Sequence, residues 1–174
     1  MSDAVPTPPT SDAVLRGEAP NPTVLSLAEL RSRIGTVIGV SSWRDVGQGR
    51  IDRFAEVTDD HQFIHLDMDR AQAETPFGGT IAHGFLTLSL LSSMAYEALP
   101  SVEGRVMGIN YGFDRVRFLA PVRAGSRLRA HFTLSDLTMR AEKEAMLRHA
   151  VTIEVEGQAK PALAADWLTI AVLA

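Results

Sequence analysis

Asp60 and His65 stand five positions apart in Asp60-His61-Gln62-Phe63-Ile64-His65. A carboxylate and an imidazole at that spacing, beside a helix edge, can hold one water between them and move its protons. Beyond His65, Ile81-Ala82-His83-Gly84, with His83 eighteen residues on, opens a long apolar run. The first N–H groups of a helix there lack intrahelical acceptors, and the dipole favours negative charge at that end. Glycine lets a carbonyl approach the backbone closely, so the N–H of Gly84 could stabilise an oxyanion. Together the two segments suggest addition or removal of water next to an activated carbonyl.

The same residues also allow plainer roles. Asp60 could cap the following turn, His65 could be a half-buried polar residue, and Gly84 could be a turn glycine beside a His83 that caps or packs. His61 and His65, four apart, would share a helical face and could bind zinc, but no His-Glu-x-x-His pattern is present and a third ligand would have to come from Asp60 or Asp67. Asp59 and Asp60 sit where a helix ends, against the dipole preference for cations. A local rule broken there points mildly to function.

A basic stretch is the other chemical feature. Arg105, Arg115, Arg117, Arg123, Arg127 and Arg129 share residues 105–129 with one acid, Asp114. Guanidinium groups suit phosphates, and a solvated strand face would use them too.

The elements that must position these groups follow from pattern. The 174 residues fit one domain, and 45% hydrophobic content is enough for a core. A net charge of −4 argues against general nucleic-acid binding. The absence of cysteine removes disulfides, thiolate metal sites and a cysteine nucleophile. No apolar run reaches membrane-spanning length, and the N-terminus lacks the basic start and apolar block of a signal peptide, so the cytosol is the default compartment. Residues 1 to about 24 hold five of the nine prolines and read as a disordered tail, with the domain over 25–174. Ser26 to Glu29 fits a capping box ahead of a helix at about 26–34, with Gly35 at its end. A strand is expected over Val37 to Trp43. A helix carrying Ile51, Phe54, Ala55 and Val57 should end near Asp59, and a weak helical turn should span Leu66 to Thr75. Pro76-Phe77-Gly78-Gly79 is a turn cluster. The run His83 to Leu99, stopped by Pro100, has apolar residues on most of its circumference and predicts a helix buried nearly all round. Strands are expected at about 105–120, 126–139, 143–157 and 161–173. Strands following one buried helix give an α+β fold.

These segments resemble the MaoC-like dehydratases, the (R)-specific enoyl-CoA hydratases of the hotdog fold. Phe54-Ala55-Glu56-Val57-Thr58-Asp59-Asp60-His61-Gln62-Phe63-Ile64-His65 lies over the hydratase motif. Phe77 to Phe85 matches a second motif, and Ile109 to Phe118 with Ala120-Pro121-Val122 a third. The spelling Asp-His-Gln-Phe-Ile-His is similar to the nodulation-protein-N-like branch. Gln62 stands for the motif Asn, Phe63 for its Pro and Asp59 for its usual Gly. The resemblance implies a single hotdog, a curved antiparallel sheet wrapped around the long helix, paired as a homodimer. It implies Asp60 and His65 as the catalytic pair and Gly84 as the oxyanion donor, with Gln62, His83, Ser92, Arg115 and Arg117 near the substrate. Gln62 should hold the loop, and Phe63 should narrow the acyl pocket, which Trp43, Phe77 and Met94 could also shape. The implied reaction is reversible hydration of a trans-2-enoyl thioester to the (R)-3-hydroxyacyl thioester. It uses no metal or redox cofactor, and coenzyme A or an acyl carrier protein delivers the acyl group. A hotdog thioesterase would place its carboxylate on the central helix, where Glu97 near the far end is the one acid. A non-catalytic acyl-thioester binding subunit is the remaining alternative.

Overall fold

The computed structural model describes residues 23–174. The expected tail lies outside the described residues except at its end, where Val24 already pairs with Ser101. In chain order the elements are β1 (Val24–Leu25), α1 (Leu27–Ser32), β2 (Val37–Val40), β3 (Arg44–Val46), α2 (Gln48–Thr58), α3 (Phe63–Leu66), α4 (Met68–Glu74), α5 (Gly84–Ala98), β4 (Ser101–Val102), β5 (Arg105–Phe118), β6 (Ser126–Ala141), β7 (Glu144–Val155) and β8 (Leu163–Leu173). The main sheet runs β2-β6-β7-β8-β5, with β3 also pairing β6, and every pairing in it is antiparallel.

Alternation decides which face of each strand meets α5. On β6, Leu128, Ala130, Phe132 and Leu134 are fully buried. A register shift between Leu134 and Asp136 then moves the inward parity to Leu137, the effect of one extra residue in a period-two ladder. On β7 the inward series is Ala145, Leu147, His149, Val151, Ile153 and Val155. Leu128, Ala130 and Phe132 of β6 and Val151, Ile153 and Val155 of β7 share one cluster with Leu86, Leu90, Leu91, Met94 and Ala98 of α5. At the far end of that helix Gly39 allows β2 to pass close by, since a Cβ there would stand 2.5 Å from the carbonyl oxygen of Ala98. A second cluster under α1 joins Leu25, Leu30, Val102, Leu134, Leu137, Ala145, Leu147 and Ala171. The capping box holds α1: Ser26 Oγ accepts from the Glu29 N–H at 3.2 Å, and Glu29 accepts from the Ser26 N–H at 2.8 Å.

Three expectations need correction. The strand expected over Val37 to Trp43 is two pieces, β2 and β3, both on β6. The turn expected over Leu66 to Thr75 is two short helices, and His65 lies inside the first, α3. The central helix is not buried nearly all round: Phe85 and Tyr96 are 68% and 53% exposed. Those two, with Ser89 and Ser92, lie on one stripe at positions i, i+11, i+4 and i+7.

Candidate active site

Asp59, at the end of α2, has φ 57° and is the sole non-glycine residue with positive φ among the described residues. That conformation favours glycine and tolerates Asp and Asn. The acid at Asp59 is therefore explained by backbone geometry, and it turns the chain so that Asp60 leaves the helix toward the start of α5. Gln62 then caps α3 through its backbone, its carbonyl accepting the His65 N–H at 2.9 Å. The Gln62 side chain is exposed and has no hydrogen bond among the described residues. It does not hold the loop as expected, because the backbone already does.

His65 is 6% exposed. Its Nδ1 lies 2.7 Å from the carbonyl oxygen of Ile81. A carbonyl only accepts, so Nδ1 carries the proton and Nε2 presents a lone pair. Burial lowers the His65 pKa below the ordinary histidine value. The Ile81 bond opposes that shift, His83 adds to it, and the Asp60 charge opposes it. A neutral imidazole with a fixed tautomer is a base ready to accept.

His83 precedes α5 and is 2% exposed. Its Nε2 donates to the backbone carbonyl of Asp60 at 2.9 Å, and its ring stacks on His65 at 3.7 Å between centroids. Phe54 of α2 packs on its other side. Asp60, His65 and His83 each offer a polar atom within 4.8 Å of the others. Imidazole lone pairs lie in the ring plane, and these planes stack only 27° apart, so the nitrogens do not converge on one ion. His61, the other zinc candidate, is exposed and lies 3.9 Å from Glu56. It precedes α3 and does not share a face with His65.

A cavity of about 310 Å³ opens beside the pair, lined by His65, Gly84, Thr87, Phe118, Val122 and Ala162 among others. The Phe118 ring occupies the space a side chain at position 84 would take: a Cβ there would stand 3.0 Å from it. Glycine at 84 thus lets an aromatic wall of the cavity stand close to the helix end, and a Cβ there would have to displace the Phe118 ring. Pattern reasoning did not single out Phe118. It sits in the third motif, but β5 reaches this end of the helix only through the long pairing with β8.

The remaining candidates lie elsewhere. Ser92, about 12 Å further along the helix axis, lines a second cavity of about 130 Å³ with Tyr96, Asn110, His149 and Trp167. Phe63 lies under the Arg70 guanidinium at 4.1 Å. Trp43 carries Arg129 at 4.5 Å, and Met94 is fully buried core. None of these three lines the His65 cavity, so Phe63 does not narrow it. Half of the arginine stretch is neutralised across the sheet. Arg115 pairs with Asp166 at 2.6 Å, Arg129 with Glu154 at 2.6 Å and Arg127 with Glu156 at 3.0 Å. Asp114 is taken by Arg148. Counting acids within one segment missed partners that strand pairing brings from others. Arg105, Arg117 and Arg123 have no carboxylate partner among the described residues. Glu97, the thioesterase candidate, is bound by Arg44 and the Ser42 N–H at the opposite end of α5.

The geometry has counterparts among known proteins. The MaoC like domain model matches residues 29–157. Nodulation protein N of Rhizobium leguminosarum bv. viciae is 53% identical over 146 residues, 84% of this chain and 91% of that protein. The 3-hydroxyacyl-thioester dehydratase Z of Mycobacterium tuberculosis is 43% identical over 144 residues, 83% and 94% of the two chains. The structure of an (R)-hydratase from A. caviae involved in PHA biosynthesis superposes with a TM-score of 0.61 at 25% identity, over 76% of this chain and 94% of that one. The fold is the hotdog. With the family model covering most of its length and relatives this similar along nearly their whole chains, this protein belongs to the MaoC-like dehydratase family and is a hydro-lyase.

Proposed function

We propose that the protein is an (R)-specific hydratase of trans-2-enoyl thioesters, acting reversibly on (R)-3-hydroxyacyl thioesters. The observation that carries this reading is the neutral His65, anchored through Nδ1 to Ile81 in the wall of the Gly84 cavity and beside the Asp60 carboxylate. Water held between Asp60 and His65 attacks C3 of the enoyl group. Its proton passes to the pair, charge moves to the thioester oxygen at the Gly84 N–H, and the pair returns a proton to C2. One water is added across one double bond. Proton transfer and oxyanion stabilisation account for the step, so it requires no metal or redox cofactor. Coenzyme A or an acyl carrier protein enters as part of the substrate. The family relatives include a 3-hydroxyacyl-thioester dehydratase and a structurally similar (R)-hydratase, which supports this chemistry. Arg117, exposed on β5 near Phe118 and free of a carboxylate partner, is the arginine we assign to substrate phosphate.

The protein acts as a homodimer in this reading. β5 is an edge strand of the main sheet, 14 residues long. It exposes Val106, Met107, Ile109 and Tyr111, beside the open Phe85–Tyr96 stripe of the helix. An unpaired apolar edge of that length calls for a partner. No helix among the described residues is long and apolar enough to cross a membrane.

The test follows loss of enoyl absorbance with trans-2-enoyl-CoAs of graded chain length, with chiral analysis of the product. Asp60→Asn and His65→Ala should each lose about 10²- to 10⁴-fold in kcat while remaining folded dimers. A folded parent protein inert toward both CoA and carrier-protein thioesters would leave the acyl-thioester binding subunit as the better reading.

A further inference from the structure

We infer that Gln48 is the positioning residue of the site: its carboxamide, with the Thr80 hydroxyl, clamps together the two chain segments that fix the tautomer of His65. The inference rests on the assignment of Asp60 and His65 as the reacting pair.

His65 depends on a bond between segments. Its ring is on α3, but the carbonyl that holds Nδ1–H belongs to Ile81, on the strap before α5. The Ile81 N–H returns a bond to the Ile64 carbonyl at 3.0 Å. The strap is also tied on its other side, the Ala124 N–H donating to the Thr80 carbonyl at 3.0 Å and the Ala82 N–H to the Val122 carbonyl at 2.7 Å, but neither of those bonds reaches α3. Gln48, first residue of α2, spans the two segments. Its Nε2 donates to the backbone carbonyl of His65 at 2.8 Å, and its Oε1 accepts from the hydroxyl of Thr80, beside Ile81, at 2.6 Å. The second Nε2 proton goes to Asp52 Oδ1 at 2.8 Å, one helical turn along α2.

Chemistry leaves one orientation for this amide. Nε2 faces a carbonyl and a carboxylate, both acceptors, while Oε1 faces a hydroxyl able to donate. Rotating the amide would set its oxygen against both acceptors and lose two of the three bonds, leaving one to the Thr80 hydroxyl, which can also accept. Thr80 is 1% exposed, so its hydroxyl has little access to water and depends on Gln48. The result is a closed circuit: Gln48 to His65, His65 to Ile81, Ile81 through Thr80 back to Gln48. Gln48 bonds to the His65 backbone but does not itself line the His65 cavity, so it acts through His65 and not on substrate.

Removing the clamp should misplace Nε2 more than it weakens substrate binding, because displacement of a reacting group by about 1 Å can cost about 100-fold in rate. Gln48→Glu keeps the shape but sets oxygen lone pairs against the His65 carbonyl and Asp52. Gln48→Ala removes the bridge, and Thr80→Val removes the hydroxyl alone. We expect kcat for trans-2-enoyl-CoA to fall about 10- to 100-fold in the Gln48 variants, with KM within about threefold of the parent. Thr80→Ser should retain more activity than Thr80→Val. Nitrogen-15 spectra of the His65 ring should change from one Nδ1–H tautomer to a mixture with Nε2–H. A merely structural role would lower the melting temperature and leave tautomer and kcat alone. Folded Gln48→Ala or Gln48→Glu protein with parental kcat, or with an unchanged His65 tautomer, would overturn the inference. Should Gln48→Ala not fold, Gln48→Glu and Thr80→Val carry the test. A parent protein without hydratase activity would sink the proposed reaction, while the tautomer spectra would still decide for or against the clamp.

Discussion

His65 and His149 are both buried imidazoles whose pKa values burial pushes down, and they face opposite fates. His65, 6% exposed, donates from Nδ1 to Ile81, stacks on His83 and stands beside the Asp60 carboxylate. His149, 2% exposed, has a buried Nδ1 with no partner, and its ring lies 6.2 Å from Trp167 in the inward row of β7. Its pKa is pushed down to about 4 by burial alone. Burial keeps both rings neutral. One nitrogen tied to a carbonyl, with a carboxylate close by, is what suits His65 to the role of base proposed for it. A buried histidine without that anchor is an uncharged core residue with a stability cost in acid.

The contrast breaks first if the wrong histidine proves essential. His65→Gln should lower kcat by about 10²- to 10⁴-fold, whereas His149→Leu should leave it within about threefold. In the parent, the acid limb of the kcat/KM profile should fall below the ordinary histidine pKa of 6.5, since the lowered pKa keeps His65 a base there. A limb at or above 6.5 would mean that an environment other than burial governs the ring.

The acid stability of the fold sharpens the same contrast. His149 binds a proton more readily in the unfolded chain, with an ordinary pKa of 6.5, than in the native state, at about 4. The stability it contributes is whole above pH 6.5 and is lost as pH falls from 6.5 toward 4, by roughly 3 kcal/mol in all. Urea midpoints measured from pH 7 to pH 4 should show that loss in the parent. They should show a flatter slope in His149→Leu, whatever its stability at neutral pH. Equal slopes would place the titration elsewhere.

A smaller effect is expected at the helix end. Gly84→Ala should lower kcat/KM about tenfold, because the new methyl meets the Phe118 ring. Adding Phe118→Ala should return part of the loss, since the obstructing ring is then gone. No recovery would point to the backbone conformation at Gly84. The smallest effect belongs to Arg117. Its replacement by Ala should raise KM about threefold for a CoA thioester and leave KM unchanged for an N-acetylcysteamine thioester that lacks the phosphates.

Much of the architecture is legible in local pattern. The capping box at Ser26 and Glu29, the stop at Pro100 and the alternation along β6 to β8 are short-range signals, and they place their elements within a few residues. The motif around Asp60 and His65 is legible for the same reason: its chemistry and its turn lie within six consecutive residues. Gln48 is different. Nothing near it in sequence marks it, because its partners are Asp52 on its own helix and then His65 and Thr80, which lie 17 and 32 positions away. The arginines misled in a related way, since Glu154, Glu156 and Asp166 reach them only after β6, β7, β8 and β5 have paired.

Residue order alone carries the residue types, the spacing of Asp60 and His65, the glycine at the head of the long apolar helix and the period of each strand. Those are local properties, set by side-chain chemistry and by backbone preferences over a few residues. Packing alone set which nitrogen of His65 carries the proton, which buried histidine has an anchored ring and which arginines are already paired. It also put Phe118 in the wall of the Gly84 cavity and left Ser92 in a different one. Each of these depends on contacts between segments far apart in the chain, and a hydrogen bond or an ion pair exists only once packing has brought both of its partners to one place.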